Sequence, residues 1–264
     1  MDLELKGKKV FISGSTSGIG FAAAKKFLEE GACVIINGRT SSSVKTAVKR
    51  LAQISSEYNI NGIAADFGKK KSIDSLLNKL PRVDILINNV GVYSSNSFFD
   101  SKEDEWQKQF EVNIMSGVRL SKHFMPQMLD VNSGRILFIS SECAFLIPPD
   151  LISYSMSKAA ILAISRGLAQ LTKGTNVTVN TLVPGSTLSE GAEKFLEKAA
   201  TENKKTKKEI ENTFFSEVRI TSLLQRFAKV EEVANMIVYL SSPLASATNG
   251  AVIKVDGGSS GGLF

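Results

Sequence analysis

Lys9-Val10-Phe11-Ile12-Ser13-Gly14-Ser15-Thr16-Ser17-Gly18-Ile19-Gly20 decides the architecture of this chain. Lys9 to Ser13 is an apolar, β-favouring run. Ile19 to Glu30 has helical character and stops at Gly31. Between them, glycines let the backbone turn tightly. A strand that turns through glycines into a helix brings free N–H groups and the positive end of a helix dipole to one point, which suits a pyrophosphate. The spacing is Gly-x-x-x-Gly-x-Gly rather than the Gly-x-Gly-x-x-Gly dinucleotide fingerprint. Its position between a first strand and a first helix, more than the glycines themselves, marks Gly14, Thr16, Ser17, Gly18, Ile19 and Gly20 as candidate cofactor contacts.

Outward from this loop the same alternation continues. Strands are expected at Cys33 to Asn37, Gly62 to Ala65, Asp84 to Asn88, Arg135 to Ser140, Val177 to Leu182 and Ala251 to Val255. Helices are expected at Ser41 to Ile54, Ser72 to Leu80, Asp104 to Leu129 (long and bent), Tyr154 to Thr172 and Val230 to Leu240. Strands alternating with helices imply a single-domain α/β Rossmann fold over residues 1–264, a doubly wound parallel sheet of about seven strands with helices on both faces. Between about residues 186 and 226 the pattern becomes polar helices with no strand to anchor them, which reads as an insertion and a lid. Ligands of such sheets bind beyond the carboxyl ends of the strands.

Composition narrows the function classes. The chain has 264 residues, 43% hydrophobic and 22% charged, an ordinary globular balance. No run approaches the ~18 apolar residues of a membrane span. Met1 to Lys9 lacks the apolar block of a signal peptide, so a cytoplasmic protein is expected. Cys33 and Cys143 read as reduced, packed thiols, and His123 with two scattered cysteines makes no metal site. Net charge is +6, but its densest block, Lys204 to Lys208, is diluted by Glu202 and Glu209. A solvated helical face explains it without nucleic acid, and an anionic small molecule explains a mild basic excess.

The end of the second strand selects the cofactor. A carboxylate there would bond the ribose hydroxyls of NAD. This chain has Asn37-Gly38-Arg39, where Gly38 leaves room and Arg39 can make charge-assisted bonds to a 2′-phosphate. NADP(H) is therefore expected over NAD(H).

Tyr154 and Lys158 are four apart and share one helix face. A tyrosine hydroxyl is a poor base at its free pKa of about 10, and a neighbouring ammonium favours the phenolate. Ser141, after the fifth strand, is placed to hold a substrate oxygen near Tyr154. Asn113 is an amide in an apolar helical stretch and needs a partner. A water running from it to Lys158 would make a proton relay.

Together these residues resemble the short-chain dehydrogenases/reductases, over essentially the whole chain. Gly14 to Gly20 is similar to their nucleotide loop, Asn88-Asn89-Val90-Gly91 to their Asn-Asn-Ala-Gly motif, and Asn113, Ser141, Tyr154 and Lys158 to their catalytic tetrad. Pro184-Gly185 followed by Thr187 resembles the segment that holds the nicotinamide carboxamide, and Val255 to Gly258 the usual final strand. Val90 and Ser13 are small departures, for alanine and threonine. The resemblance implies hydride transfer between nicotinamide and a carbonyl or secondary alcohol. It also implies Asp66 and Phe67 along the adenine, Asn89 and Gly91 along its ribose, and Tyr154 and Lys158 at the nicotinamide end. A homotetramer, packed through helices 104–129 and 154–172, is a further expectation.

Substrate is less legible. Tyr93, Phe98, Phe99, Phe145, Leu146, Ile147, Phe195, Phe214 and Phe215 suggest an apolar pocket wall. Reduction of 3-oxoacyl groups on acyl carrier protein is the alternative. Members specialised for that reaction carry arginines at the places of Asn132 and Thr175, for which Arg135 and the Lys204–Lys208 block would have to substitute. A non-catalytic nucleotide sensor is the alternative of another class, and it would be expected to lack Tyr154 or Lys158.

Overall fold

The apolar run Lys9–Ile12 forms β1, a central strand of a seven-stranded parallel sheet. The computed structural model describes residues 1–53 and 60–262. Strands β2 (Cys33–Gly38), β3 (Ile60–Ala64), β4 (Ile85–Asn88), β5 (Gly134–Ile139), β6 (Val177–Pro184), β7 (Thr187–Leu188), β8 (Ala228–Lys229) and β9 (Val252–Val255) follow. The sheet order is β3-β2-β1-β4-β5-β6-β9, and β7 pairs with β8 alone. The helices are α1 (Gly18–Glu29), α2 (Ser41–Ala52), α3 (Lys70–Lys79), α4 (Glu103–Gln109), α5 (Ser116–Asp130), α6 (Cys143–Leu146), α7 (Ile152–Gln170), α8 (Glu190–Asn203), α9 (Lys207–Thr213) and α10 (Val230–Leu240). The expected helix end at Ile54 lies outside the described residues.

Alternate residues of one strand serve opposite layers, because side chains of a strand alternate across the sheet. Val10 and Ile12 pack with Ala23, Phe27 and the α10 residues Val233 and Ile237. Phe11 packs on the other face with Ile73, Leu120, Phe124 and Ile161. Burial on both faces explains the near-continuous apolar strands. Each such side chain contributes roughly 1.5–3 kcal/mol when fully buried.

Two expectations change. The helix expected over 104–129 is α4, a π-helical stretch Phe110–Met115, and α5. The wider turn surrounds Asn113, whose amide pairs with backbone outside the helix. The insertion is not without a strand: β7 at its start pairs with β8 just after it, Thr187 beside Ala228. Short parallel pairing closes the segment at its base, a long-range contact that two residues of local pattern cannot announce. No helix among the described residues is long and apolar enough to cross a membrane.

Candidate active site

Strand order reverses between β1 and β4, and a cleft of about 560 Å³ opens at their carboxyl ends. Gly14, Thr16, Ser17, Gly38, Arg39, Asp66, Phe67, Asn89 and Gly91 all line it. The loop is held from beneath. Ser13 Oγ accepts from the N–H groups of Asn89 (3.0 Å) and Val90 (3.1 Å), so β1 and β4 end in one hydrogen-bonded knot. Gly14 has φ +62°, and a Cβ there would come within 2.8 Å of Val90 Cα. Backbone approach this close admits glycine only.

Asn37 is a structural clamp. Its Oδ1 accepts from Gly14 N at 3.1 Å and its Nδ2 donates to Ile63 O at 3.0 Å, while its own N–H goes to Ser15 Oγ at 2.9 Å. Gly38 does not simply leave room for a phosphate. A Cβ there would lie 2.5 Å from Thr16 Cγ2, so Gly38 lets β2 and the glycine loop touch. Arg39 is exposed at the cleft. Phe67 lines the cleft but is 2% exposed, with its side chain packed into the core. Asp66 Oδ1 accepts from Gly68 N at 3.0 Å. The Asn89 amide donates to Ser13 O (3.0 Å) and Gly14 O (2.8 Å), fastening the loop rather than reaching outward. Lys69 and Lys108 also line the cleft and add positive charge that no sequence motif singled out.

Tyr154 and Lys158 lie one turn apart on α7, with Nζ 5.6 Å from the tyrosine ring centroid. Lys158 is 3% exposed and donates to Ile139 O at the end of β5 at 2.9 Å. Ser140 Oγ donates to Lys158 O at 2.8 Å, tying α7 to the same strand end. Ser141 Oγ accepts from Cys143 N at 3.2 Å. Asn113 Oδ1 accepts from Val92 N and its Nδ2 donates to Val92 O, both at 2.8 Å, and Nδ2 also donates to Ser157 Oγ at 2.9 Å. A Cβ at Gly91 would meet Lys158 Nζ at 3.3 Å and Asn113 Oδ1 at 3.6 Å, so the two predicted groups flank Gly91.

Electrostatics differ from the expectation. Burial dominates and pushes the Tyr154 hydroxyl up, with Cys143, Tyr93 and Glu142 adding to the rise and a hydrogen bond with Ser141 opposing it. Lys158 does not offset this. Burial brings its ammonium down to about 8, because a charge in apolar surroundings loses hydration. Tyr93 stands beside Tyr154, ring centroids 5.9 Å apart.

Pro184 and Gly185 end β6 and are fastened by Glu142 N to Pro184 O (2.9 Å) and Gly185 N to Val255 O (3.0 Å). Thr187 Oγ1 donates to Gly185 O at 2.8 Å, a bond within its own turn. The residues that reach the glycine loop come slightly later. Glu190, opening α8, accepts from Gly18 N at 2.6 Å, and a Cβ at Gly18 would meet Ser189 Cβ at 3.5 Å. Glu190 was invisible to sequence reasoning because its partner is 172 residues away.

Part of the expected pocket wall is core. Phe215 is 2% exposed, and Phe214, Phe215 and Phe227 form a ring cluster with centroids 5.1 Å apart. This small core supports the insertion from below. Phe98 packs edge-on against Phe99 and Trp106. Arg135 cannot serve as a gripping arginine. It donates to Gly134 O and Asn176 O at 2.9 and 2.8 Å. Lys207 and Lys208 pair with Glu197 and Glu211. Among the described residues no group of three or more His, Cys, Asp or Glu side chains could hold a metal ion.

A doubly wound sheet with a glycine loop at its switch point is the architecture of nucleotide-binding α/β proteins. The model of the short chain dehydrogenase family matches residues 8–200. The uncharacterized oxidoreductase YvrD of Bacillus subtilis (strain 168) is 47% identical over 261 residues, 98% of each chain. The 3-oxoacyl-[acyl-carrier-protein] reductase FabG of Aquifex aeolicus (strain VF5) is 30% identical over 264 residues, 98% of this chain and 99% of that one. Among solved structures, L-sorbose reductase from Gluconobacter frateurii complexed with NADPH and L-sorbose superposes with a TM-score of 0.92 at 29% identity over 100% of both chains. The chain belongs to the short-chain dehydrogenase/reductase family and is an NAD(P)-dependent enzyme.

Proposed function

We propose that the chain is an NADP(H)-dependent oxidoreductase of free, small carbonyl compounds and secondary alcohols, with Tyr154 as acid and base. The observation that carries this reading is the cluster at the end of β5: Tyr154 and Lys158 one turn apart, Lys158 Nζ anchored on Ile139 O at 2.9 Å, and Ser141 beside them. The cleft fits a dinucleotide: its volume is that of a ligand site, and the glycine loop presents a helix N-terminus to it. The bound dinucleotide supplies or takes up the hydride. Ser141 holds the substrate oxygen by its hydroxyl. Tyr154, kept protonated by its surroundings, donates its proton to that oxygen in reduction and takes it back in oxidation. The Lys158 ammonium, beside the Tyr154 ring, would hold the nicotinamide end of the dinucleotide, and a water between Lys158 and Asn113, which flank Gly91, would complete a proton relay.

Arg39, Lys69 and Lys108 at the cleft favour the phosphorylated dinucleotide. The carrier-linked reading is disfavoured. At the amino ends of β5 and β6, Asn132 Oδ1 accepts from Asn176 N and Thr175 Oγ1 donates to Thr172 O, and Arg135 and Lys207–Lys208 are engaged by other partners. A homotetramer built through α4, α5 and α7 is consistent with the half-open apolar groove of Trp106, Phe110 and Met156 on that face.

The test is NADPH oxidation over aldehydes, diketones, hydroxy ketones, quinones, steroids and 3-oxoacyl thioesters, beside Tyr154→Phe. Free ketones should turn over and carrier-linked thioesters should not outpace them. Turnover that survives Tyr154→Phe refutes the acid–base assignment.

A further inference from the structure

We propose that Glu142 and Arg219 act as a positioning pair, locking the Ser141–Cys143 turn, the end of β6 and the late part of the insertion into one unit beside Tyr154. The inference rests on the Tyr154 reading above and adds residues that no motif marks.

Glu142 follows Ser141 directly and is 3% exposed. Its N–H donates to Pro184 O at 2.9 Å. Its Oε1 accepts from Ser186 Oγ at 2.7 Å and from Arg219 Nε at 3.0 Å. Arg219 lies late in the insertion, just after the π-helical stretch Phe214–Val218, with its guanidinium 5.5 Å from the Phe214 ring centroid and Nη2 4.0 Å from Cys143 Sγ. One carboxylate thus joins three stretches far apart in the chain, and two of them carry Ser141 and the Pro184–Gly185 turn.

Stability does not explain the arrangement. Glu142 Oε2 is buried with no hydrogen-bond partner among the described residues. A buried ion pair with an orphaned oxygen loses hydration that its bonds do not fully return, and an apolar pair of equal volume would serve the core as well or better. What the pair supplies is orientation. A peptide link separates Glu142 from Ser141, so a carboxylate that cannot move holds the Ser141 backbone in place, while Cys143 N donates to the Ser141 hydroxyl at 3.2 Å. The same charge acts on Tyr154. The groups around the Tyr154 phenol are Ser141, Cys143, Glu142 and Tyr93, with Lys158 on its own helix and Arg219 behind Glu142. Glu142 is among those that raise the Tyr154 pKa, which favours the protonated, donating form.

The experiment is a double-mutant cycle of Glu142→Gln and Arg219→Gln in the full chain. It is assayed with the best carbonyl from the panel above for kcat against pH, with NADPH fluorescence titration and Tm alongside. Each single change should lower kcat on the order of ten-fold or more through misplacement of Ser141. NADPH affinity should stay near wild type. The double variant should be no worse than the poorer single, because the two residues act as one unit. In Glu142→Gln the pH limb belonging to Tyr154 should move to lower pH, since a charge that raised its pKa is gone. A merely structural pair would lower Tm and leave kcat and that limb unchanged, and this result, or additive kcat losses, overturns the proposal. If Glu142→Gln does not fold, Arg219→Lys keeps the charge, loses the Nε bond, and should show the kcat loss; wild-type kcat there also overturns it. Tyr154→Phe is read separately. Its inactivity upholds Tyr154 whatever Glu142 does, and its activity refutes the underlying reading without touching the cycle's coupling.

Discussion

Lys158 Nζ donates to the backbone carbonyl of Ile139 at 2.9 Å, so the ammonium is held by the last residue of β5, the strand that Ser141 follows. The bond places an ionisable group 3% exposed in apolar surroundings, where its pKa falls from 10.5 to about 8. The charge is costly to the fold and useful to the site.

Lys158→Met should therefore stabilise the chain while abolishing turnover. The folded-state pKa lies below the unfolded one, so between about 8 and 10.5 the unfolded chain binds more protons and wild-type stability rises with pH. Below that window the full penalty applies. The variant should gain up to about 3 kcal/mol at neutral pH, less about 1 kcal/mol for the lost bond to Ile139. The gain should shrink to nothing near the top of the window. Urea unfolding at about pH 7 and about pH 10 reads the difference.

Arg39→Asp should change cofactor discrimination. A charge-assisted bond to a 2′-phosphate contributes about 1.5–3 kcal/mol, so NADPH affinity should fall roughly 10- to 100-fold while NADH affinity holds or improves. Unchanged discrimination by fluorescence titration would remove Arg39 from the cofactor site.

Glu190→Gln should tighten cofactor binding. The carboxylate sits 2.6 Å from Gly18 N, at the helix terminus where a pyrophosphate is expected, and 3.8 Å from Arg50. Removing a competing charge from a helix N-terminus should lower the Kd for NADPH by up to about ten-fold at low salt. The advantage should fade as ionic strength rises. A weaker Kd would show that Glu190 supports the loop rather than competing at it.

Asn113→Leu should destabilise the chain. It leaves the N–H and C=O of Val92 without their side-chain partners, at about 1–3 kcal/mol for each group. Thermal unfolding checks this, and a neutral result would make the π-helical stretch independent of Asn113.

Much of the architecture was legible because it is local. The Tyr154–Lys158 spacing falls on one face of any helix, and the run Lys9 to Ser13 meets glycines whatever surrounds it. Locality covers only the Tyr154–Lys158 pair on α7; Asn113 reaches Ser157, and Lys158 reaches Ile139, through tertiary contacts. The strand at Thr187–Leu188 and the core role of Phe214 and Phe215 were not legible, since two residues carry no period and a phenylalanine reads alike in a wall or a core.

By itself the sequence determined the alternation of strands and helices, the glycine turn after β1, and the one-face spacing of Tyr154 and Lys158. Tertiary structure alone decided the sign of the electrostatics, because Tyr154 and Lys158 are shifted first by burial and not by each other. It also decided the long-range polar pairs, Gly18 with Glu190 and Glu142 with Arg219. Periodicity records which face of an element is apolar. It carries no record of which charged side chain a returning loop will bring to a strand end, where low polarity makes that one contact matter most.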